Sequence, residues 1–130
     1  MKAVKRNLGS GILLSGGLDT SILASIGSEY TSLRAFTVAF DEGEARDLSY
    51  ARLVADELGL EHSIYLFRRA EVLEAIPQVI AATCSFDPME IRNDVAIFIA
   101  LRQAMSSDLT HVMTGDGCDE LFAGYSFFFG

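Results

Sequence analysis

The chain has 130 residues, half of them hydrophobic and 22% charged, the balance of a folded domain and not of a disordered segment. Ten basic residues against eighteen acidic ones leave a net charge of −8; with no basic aromatic stripe, such a surface repels a phosphate backbone and disfavours nucleic acid as a partner. No apolar run approaches the ~18 residues of a membrane span, and "MKAVKRNLGSG" is followed only by the short "ILL", which makes no signal peptide. Cys84 and Cys118 form no CxxC motif, and two reduced thiols in a cytoplasmic protein is the simplest reading.

Taken in chain order, "GILLS" reads as a buried strand and Leu18 to about Tyr30 as a helix. "LRAFTVAF" (33–40), rich in β-branched and aromatic residues, is a second strand. "DLSYARLVADELG" has apolar residues at 48, 51, 54, 55 and 58, a helical spacing, with Gly59 as its stop. "EHSIYLF" makes a third strand, and a helix runs from about Ala70 to Ala82 although Pro77 sits inside it. "SFDPMEI" reads as a turn and "RNDVAIFIALRQAM" as a helix; "LTHVMTG" (109–115) is a fourth strand, and "DGCDELFAGY" leads into a last helical turn. This alternation predicts one α/β domain over 1–130: a Rossmann-like parallel sheet with right-handed crossovers and helices on both faces. The chain ends "GYSFFFG", an aromatic tail that normally packs under further structure or a partner, or else folds back on its own sheet, and that allows self-association.

In such a sheet, ligands sit beyond the carboxyl ends of the strands where the order reverses. With the order 3-2-1-4, strands 1 and 4 are neighbours, so the loops "SGGLDTS" and "GDGCDE" open on one crevice. Ser15, Gly16 and Gly17 leave a strand and precede a helix, so backbone N–H groups there favour an anion. Thr20 and Ser21 add hydroxyl donors. No P-loop lysine is present, and Asp19 would repel phosphate unless a divalent cation lay between them. Asp116, Asp119 and Glu120 give the second loop the same acidic character, and carboxylate oxygens from both loops suit Mg²⁺. Taken singly, the first loop is equally an ordinary tight turn with Asp19 as a cap, and the second a solvated turn; their convergence favours function.

These residues resemble a known family. Ser15 to Ser21 is similar to the SGGxDS pyrophosphate loop of the N-type ATP pyrophosphatases, and "TGDGCDELFAGY" (114–125) resembles the G-[DE]-G-x-D-E-[LI]-F-x-G-Y signature of the asparagine synthetase synthase domain. "DLSYARLVADELGLEH" and "DPMEIRNDVAIFIALRQA" look like that family's intervening helices, so the likeness runs from Gly11 to Phe128. It implies an adenine-nucleotide hydrolase-like fold and an AMP-forming amide ligase: ATP adenylates a carboxylate, aspartate being the first guess, pyrophosphate leaves, and ammonia or an amine displaces AMP.

Carried over by position, Ser15, Gly16, Gly17, Asp19, Thr20 and Ser21 would contact pyrophosphate or its metal. Asp19 and Asp119 would be Mg²⁺ ligands. Leu13, Val38 (through its backbone), Thr114 and Gly115 would line the adenosine pocket, and Asp116 would transfer a proton or orient substrate. Tyr125 and Arg92 are candidates near the acyl site, with pairing to Glu90 or Asp94 as the alternative for Arg92.

Some features depart from the family. Thr20 replaces a usual serine, and "SGGLDTS" also looks like argininosuccinate synthetase, which lacks the second motif. Cys118 is either a reactive thiol at a helix start or a small half-buried residue. Lys2 follows Met1, where the family's glutaminase half has its nucleophilic cysteine, so no glutaminase domain is expected. The family's C-terminal helical region is expected to be lacking or supplied by a partner. The rival reading is a nucleotide-binding module without turnover, because Lys5, Arg6, Arg46 and Arg92 are the only loop-placed cations for pyrophosphate. Tyr50, Tyr65 and Phe36, Phe40, Phe67 and Phe98 are assigned to packing, Cys84 to the core, and His62 and His111 to surface or capping roles.

Overall fold

A computed structural model describes residues 9–41, 46–109 and 111–117, with the side chains of 46 and 47 excepted. In chain order the elements are β1 (Gly11–Leu13), α1 (Leu18–Ser28), β2 (Arg34–Phe40), α2 (Arg46–Glu57), β3 (Glu61–Phe67), α3 (Arg69–Thr83), α4 (Pro88–Met105) and β4 (Val112–Met113). All three strand pairings are parallel and the order is β3-β2-β1-β4, as the alternating pattern predicts. No helix among the described residues is long and apolar enough to cross a membrane.

Strand alternation divides the core between two faces. Ile12, Leu14 and Ala35 meet Ala24 of α1 and Ala51 and Ala55 of α2 on one side. Leu13, Phe36, Val38 and Phe67 point the other way, against Val79 of α3 and Val95, Ile99 and Ala104 of α4. Ala24, Ala35, Ala51, Ala55, Ala75 and Ala104 are all fully buried, and their small side chains let the helices lie close to the sheet. Ile12, Leu14 and Ile99 are the largest side chains wholly out of water, each contributing about 1.5–3 kcal/mol.

Several local expectations are corrected. Within "SFDPMEI", helix α4 already begins at Pro88, because Asp87 Oδ1 accepts the N–H groups of Met89 (2.7 Å) and Glu90 (3.1 Å) and proline suits the first helical position. Helix α3, by contrast, runs through Pro77 as expected; the proline is exposed, so water can reach the acceptor that its missing N–H leaves unpaired. Cys84 is not core: it is exposed and ends α3 in the left-handed conformation, φ 55°. Tyr50 and Phe40 are exposed rather than packed inside. The fourth strand shrinks to Val112–Met113: Leu109 is buried in the core, and Gly115 lies against Thr20 and Asp19 of α1 instead of extending the ladder.

Candidate active site

The first loop is held by its own hydroxyls. Gly16 adopts φ 80°, a conformation that glycine takes without penalty. Ser15 Oγ accepts the Gly17 N–H at 3.2 Å and lies 3.0 Å from Thr20 Oγ1. Thr20 Oγ1 in turn donates to the Gly17 carbonyl at 3.3 Å, and Ser21 Oγ donates to the same oxygen at 2.7 Å. The hydroxyls of Thr20 and Ser21 therefore brace the loop instead of pointing outward as anion donors. Gly17 is the N-cap of α1 and supplies no side-chain cap, so the first-turn N–H groups keep their capacity for another acceptor.

The second loop meets the first through a glycine. A Cβ on Gly115 would lie 2.7 Å from Thr20 Cγ2 and 3.5 Å from Asp19 Cβ, so only glycine lets the backbone come this close. The two loops and the sheet enclose a crevice of about 330 Å³. Ser15, Gly17, Asp19 and Thr20 line it from one loop, and Thr114, Gly115 and Asp116 from the other. Leu13 and Val38 complete the set of expected residues on its wall.

Three expected residues do not line the crevice. Gly16 makes the turn at φ 80°, and Ser21 Oγ donates to the Gly17 carbonyl. Arg92 lies away from it, on a neighbouring apolar cavity of about 580 Å³ with Phe40, Phe67 and Ile91; the two cavities share Ala96. Asp119, Cys118, Glu120, Tyr125, Lys5 and Arg6, and the side chain of Arg46, lie outside the described residues. Sequence reading missed Leu14, which lines the crevice where the loop begins, and Phe36, Ala96, Ile97 and Ala100, which form its apolar wall; the helical spacing of 96, 97 and 100 was the available signal.

His62 is neither a surface nor a capping residue. It is half-buried on β3, its Nε2 lies 2.7 Å from Thr37 Oγ1, and burial pushes its pKa below the ordinary 6.5. His111 is exposed.

Among the described residues, no group of three or more His, Cys, Asp or Glu is arranged to hold a metal. Asp19 and Asp116 nevertheless line one crevice, and one or two carboxylates completed by phosphate oxygens and water is the donor set that Mg²⁺ takes.

A four-stranded parallel sheet in which two neighbouring strands, β1 and the edge strand β4, both end in glycine loops defines a Rossmann-like α/β domain. The same fold occurs in the NH3-dependent NAD synthetase of Campylobacter jejuni, with a TM-score of 0.60 and 21% identity over 96% of this chain and 55% of that one. The NMN synthetase of Francisella tularensis gives 0.56 and 22% over 95% and 51%. The chain belongs to the asparagine synthase family, whose model matches residues 2–130. It is 35% identical to the glutamine-hydrolyzing asparagine synthetase 1 of Lotus japonicus, over 98% of this chain and 23% of that protein. A probable asparagine synthetase of Dictyostelium discoideum is 34% identical, over 91% of this chain and 24% of that protein. The chain thus spans about a quarter of the length of these relatives.

Proposed function

We propose that the chain is the ATP-handling core of an AMP-forming amide ligase, adenylating a carboxylate with release of pyrophosphate before attack by ammonia or an amine. The observation that carries this reading is the contact of Gly115 with Thr20, which sets Asp19 and Asp116 on one crevice at the uncapped start of α1. A polyphosphate fits at that helix N-terminus, where N–H groups and the helix dipole favour negative charge. Leu13, Phe36, Val38, Ala96, Ile97 and Ala100 offer the base and ribose an apolar wall.

Asp19 would hold Mg²⁺, joined by Asp119 as the family likeness implies. When bound, the ion would neutralise charge on pyrophosphate as the α,β bond breaks. Asp116, which lines the crevice from the second loop, would orient the attacking amine or take its proton. Aspartate is the first carboxylate to test, because the relatives are asparagine synthetases. A second reading, nucleotide binding without turnover, draws support from one feature: among the described residues no lysine or arginine lines the crevice.

The test is product identity. The chain is incubated with ATP, Mg²⁺, aspartate and ammonia, then with other carboxylates, and AMP is resolved from ADP. AMP and pyrophosphate, abolished by Asp19→Ala, are expected. Mg²⁺-dependent ATP binding with no turnover would select the second reading, and no binding at all would overturn both.

A further inference from the structure

Leu14 is the last core residue before the glycine loop, and the peptide group joining it to Ser15 is gripped from two sides. Its carbonyl accepts a hydrogen bond from Thr37 Oγ1 at 2.6 Å. Its N–H, that of Ser15, donates to Thr20 Oγ1 at 3.3 Å. Thr37 stands on β2 and Thr20 on α1, so one peptide plane ties sheet, loop and helix together. The Leu14 N–H still donates to the Phe36 carbonyl at 2.8 Å, but β1 ends at Leu13. The Thr37 hydroxyl takes hold of the backbone where the ladder stops.

Proton counting fixes the direction of the chain of bonds. A threonine hydroxyl has one hydrogen and a carbonyl can only accept, so Thr37's hydrogen lies toward Leu14. His62 Nε2, 2.7 Å from the same oxygen, must therefore carry a hydrogen and donate it. Thr37 is 6% exposed, so water competes little, and loss of its hydroxyl would leave the Leu14 carbonyl and the His62 N–H without a partner.

We propose that Thr37 and His62 are positioning residues for the glycine loop, holding the Leu14–Ser15 peptide in the orientation that presents Ser15 and Gly17 to the crevice. The inference rests on reading this loop as the phosphate site, and neither side chain touches substrate in it.

The test compares Thr37→Val, which keeps the volume and removes both bonds, with Thr37→Ser, which keeps the hydroxyl, and with His62→Leu. Mg²⁺-ATP affinity is measured by calorimetry and exchange of the Ser15 amide by NMR. Thr37→Val is expected to bind about tenfold more weakly and to exchange the Ser15 amide faster, with His62→Leu changing both in the same direction. Thr37→Ser is expected to restore both. Leu33→Ala, a core substitution just before the amino end of β2 and outside the crevice lining, controls for stability: it is expected to lower Tm and leave affinity unchanged. Wild-type values in Thr37→Val or His62→Leu, or a serine variant as impaired as valine, would overturn the pair. If the parent chain binds no ATP the functional reading fails, but the Ser15 amide still decides: exchange unaltered by Thr37→Val sinks the proposal.

Discussion

A Cβ on Gly115 would stand 2.7 Å from Thr20 Cγ2, a separation that side chains do not tolerate. Thr20 cannot swing aside freely, because its Oγ1 is bonded to Ser15 and Gly17. Gly115→Ala should therefore separate the two loops, costing about 1–3 kcal/mol of stability and weakening Mg²⁺-ATP binding. Thr20→Ser removes the opposing methyl while keeping the hydroxyl. The double variant Gly115→Ala/Thr20→Ser should recover most of both losses in thermal melts and calorimetry, and additive losses would show that this contact does not set the loop spacing.

Asp19→Asn and Asp116→Asn test the carboxylates without changing side-chain size. Asp19 is half-buried and Asp116 exposed, so the Tm of the nucleotide-free protein should move by no more than about 0.5 kcal/mol equivalent. The Mg²⁺-dependent rise in Tm on adding ATP should vanish in Asp19→Asn and persist, with turnover reduced, in Asp116→Asn. An Asp19→Asn protein stabilised by Mg²⁺-ATP as the parent is would remove Asp19 from the metal site.

Burial lowers the pKa of His62, opposed by Asp56 and aided by Arg52. The unfolded chain then takes up a proton at a higher pH than the folded one. Stability is full above about 6.5, falls as pH drops from there toward the folded pKa, and levels off below it. His62→Gln should flatten urea midpoints across that window. An unchanged slope would assign the pH dependence to another group.

Glu71 is shifted downward by the Tyr65 hydroxyl and, second, by the Arg68 N–H at 3.0 Å. Its contribution is present above 4.5 and lost as pH falls through the folded value. Tyr65→Phe should bring the carboxyl nearer its ordinary pKa and shrink the loss of stability over that acid window, as read by urea titration at successive pH values.

Asp87 caps α4, and that helix carries Ala96, Ile97 and Ala100 on the crevice wall. Asp87→Ala should cost about 1 kcal/mol, lowering Tm while the α4 register and ATP affinity persist. Asp87→Ser should recover most of the loss.

Order, direction and crossover of the strands are legible in the chain because they follow from short-range pattern. "ILLSGG", "LRAFTVAF" and "EHSIYLF" alternate with helical periods, which predicts a parallel sheet; the order 3-2-1-4 belongs to the doubly wound arrangement expected for it, in which strands 1 and 4 meet where the order reverses. Glycine at 16, 17 and 115 likewise announces backbone that must turn or approach closely. What packing settled could not be read locally. The face of α4 that lines the crevice, Ala96, Ile97 and Ala100, is as apolar as the face that carries Val95 and Ile99, so helical spacing groups the three but no chemical difference marks them as part of a site. His62 and Thr37 are 25 positions apart and meet only because β2 and β3 pair in register, Ala35 opposite His62. Cys84 and Tyr50 have the apolar character of core residues but lie exposed, because burial depends on which surface a neighbouring element covers, a long-range outcome that no local periodicity encodes.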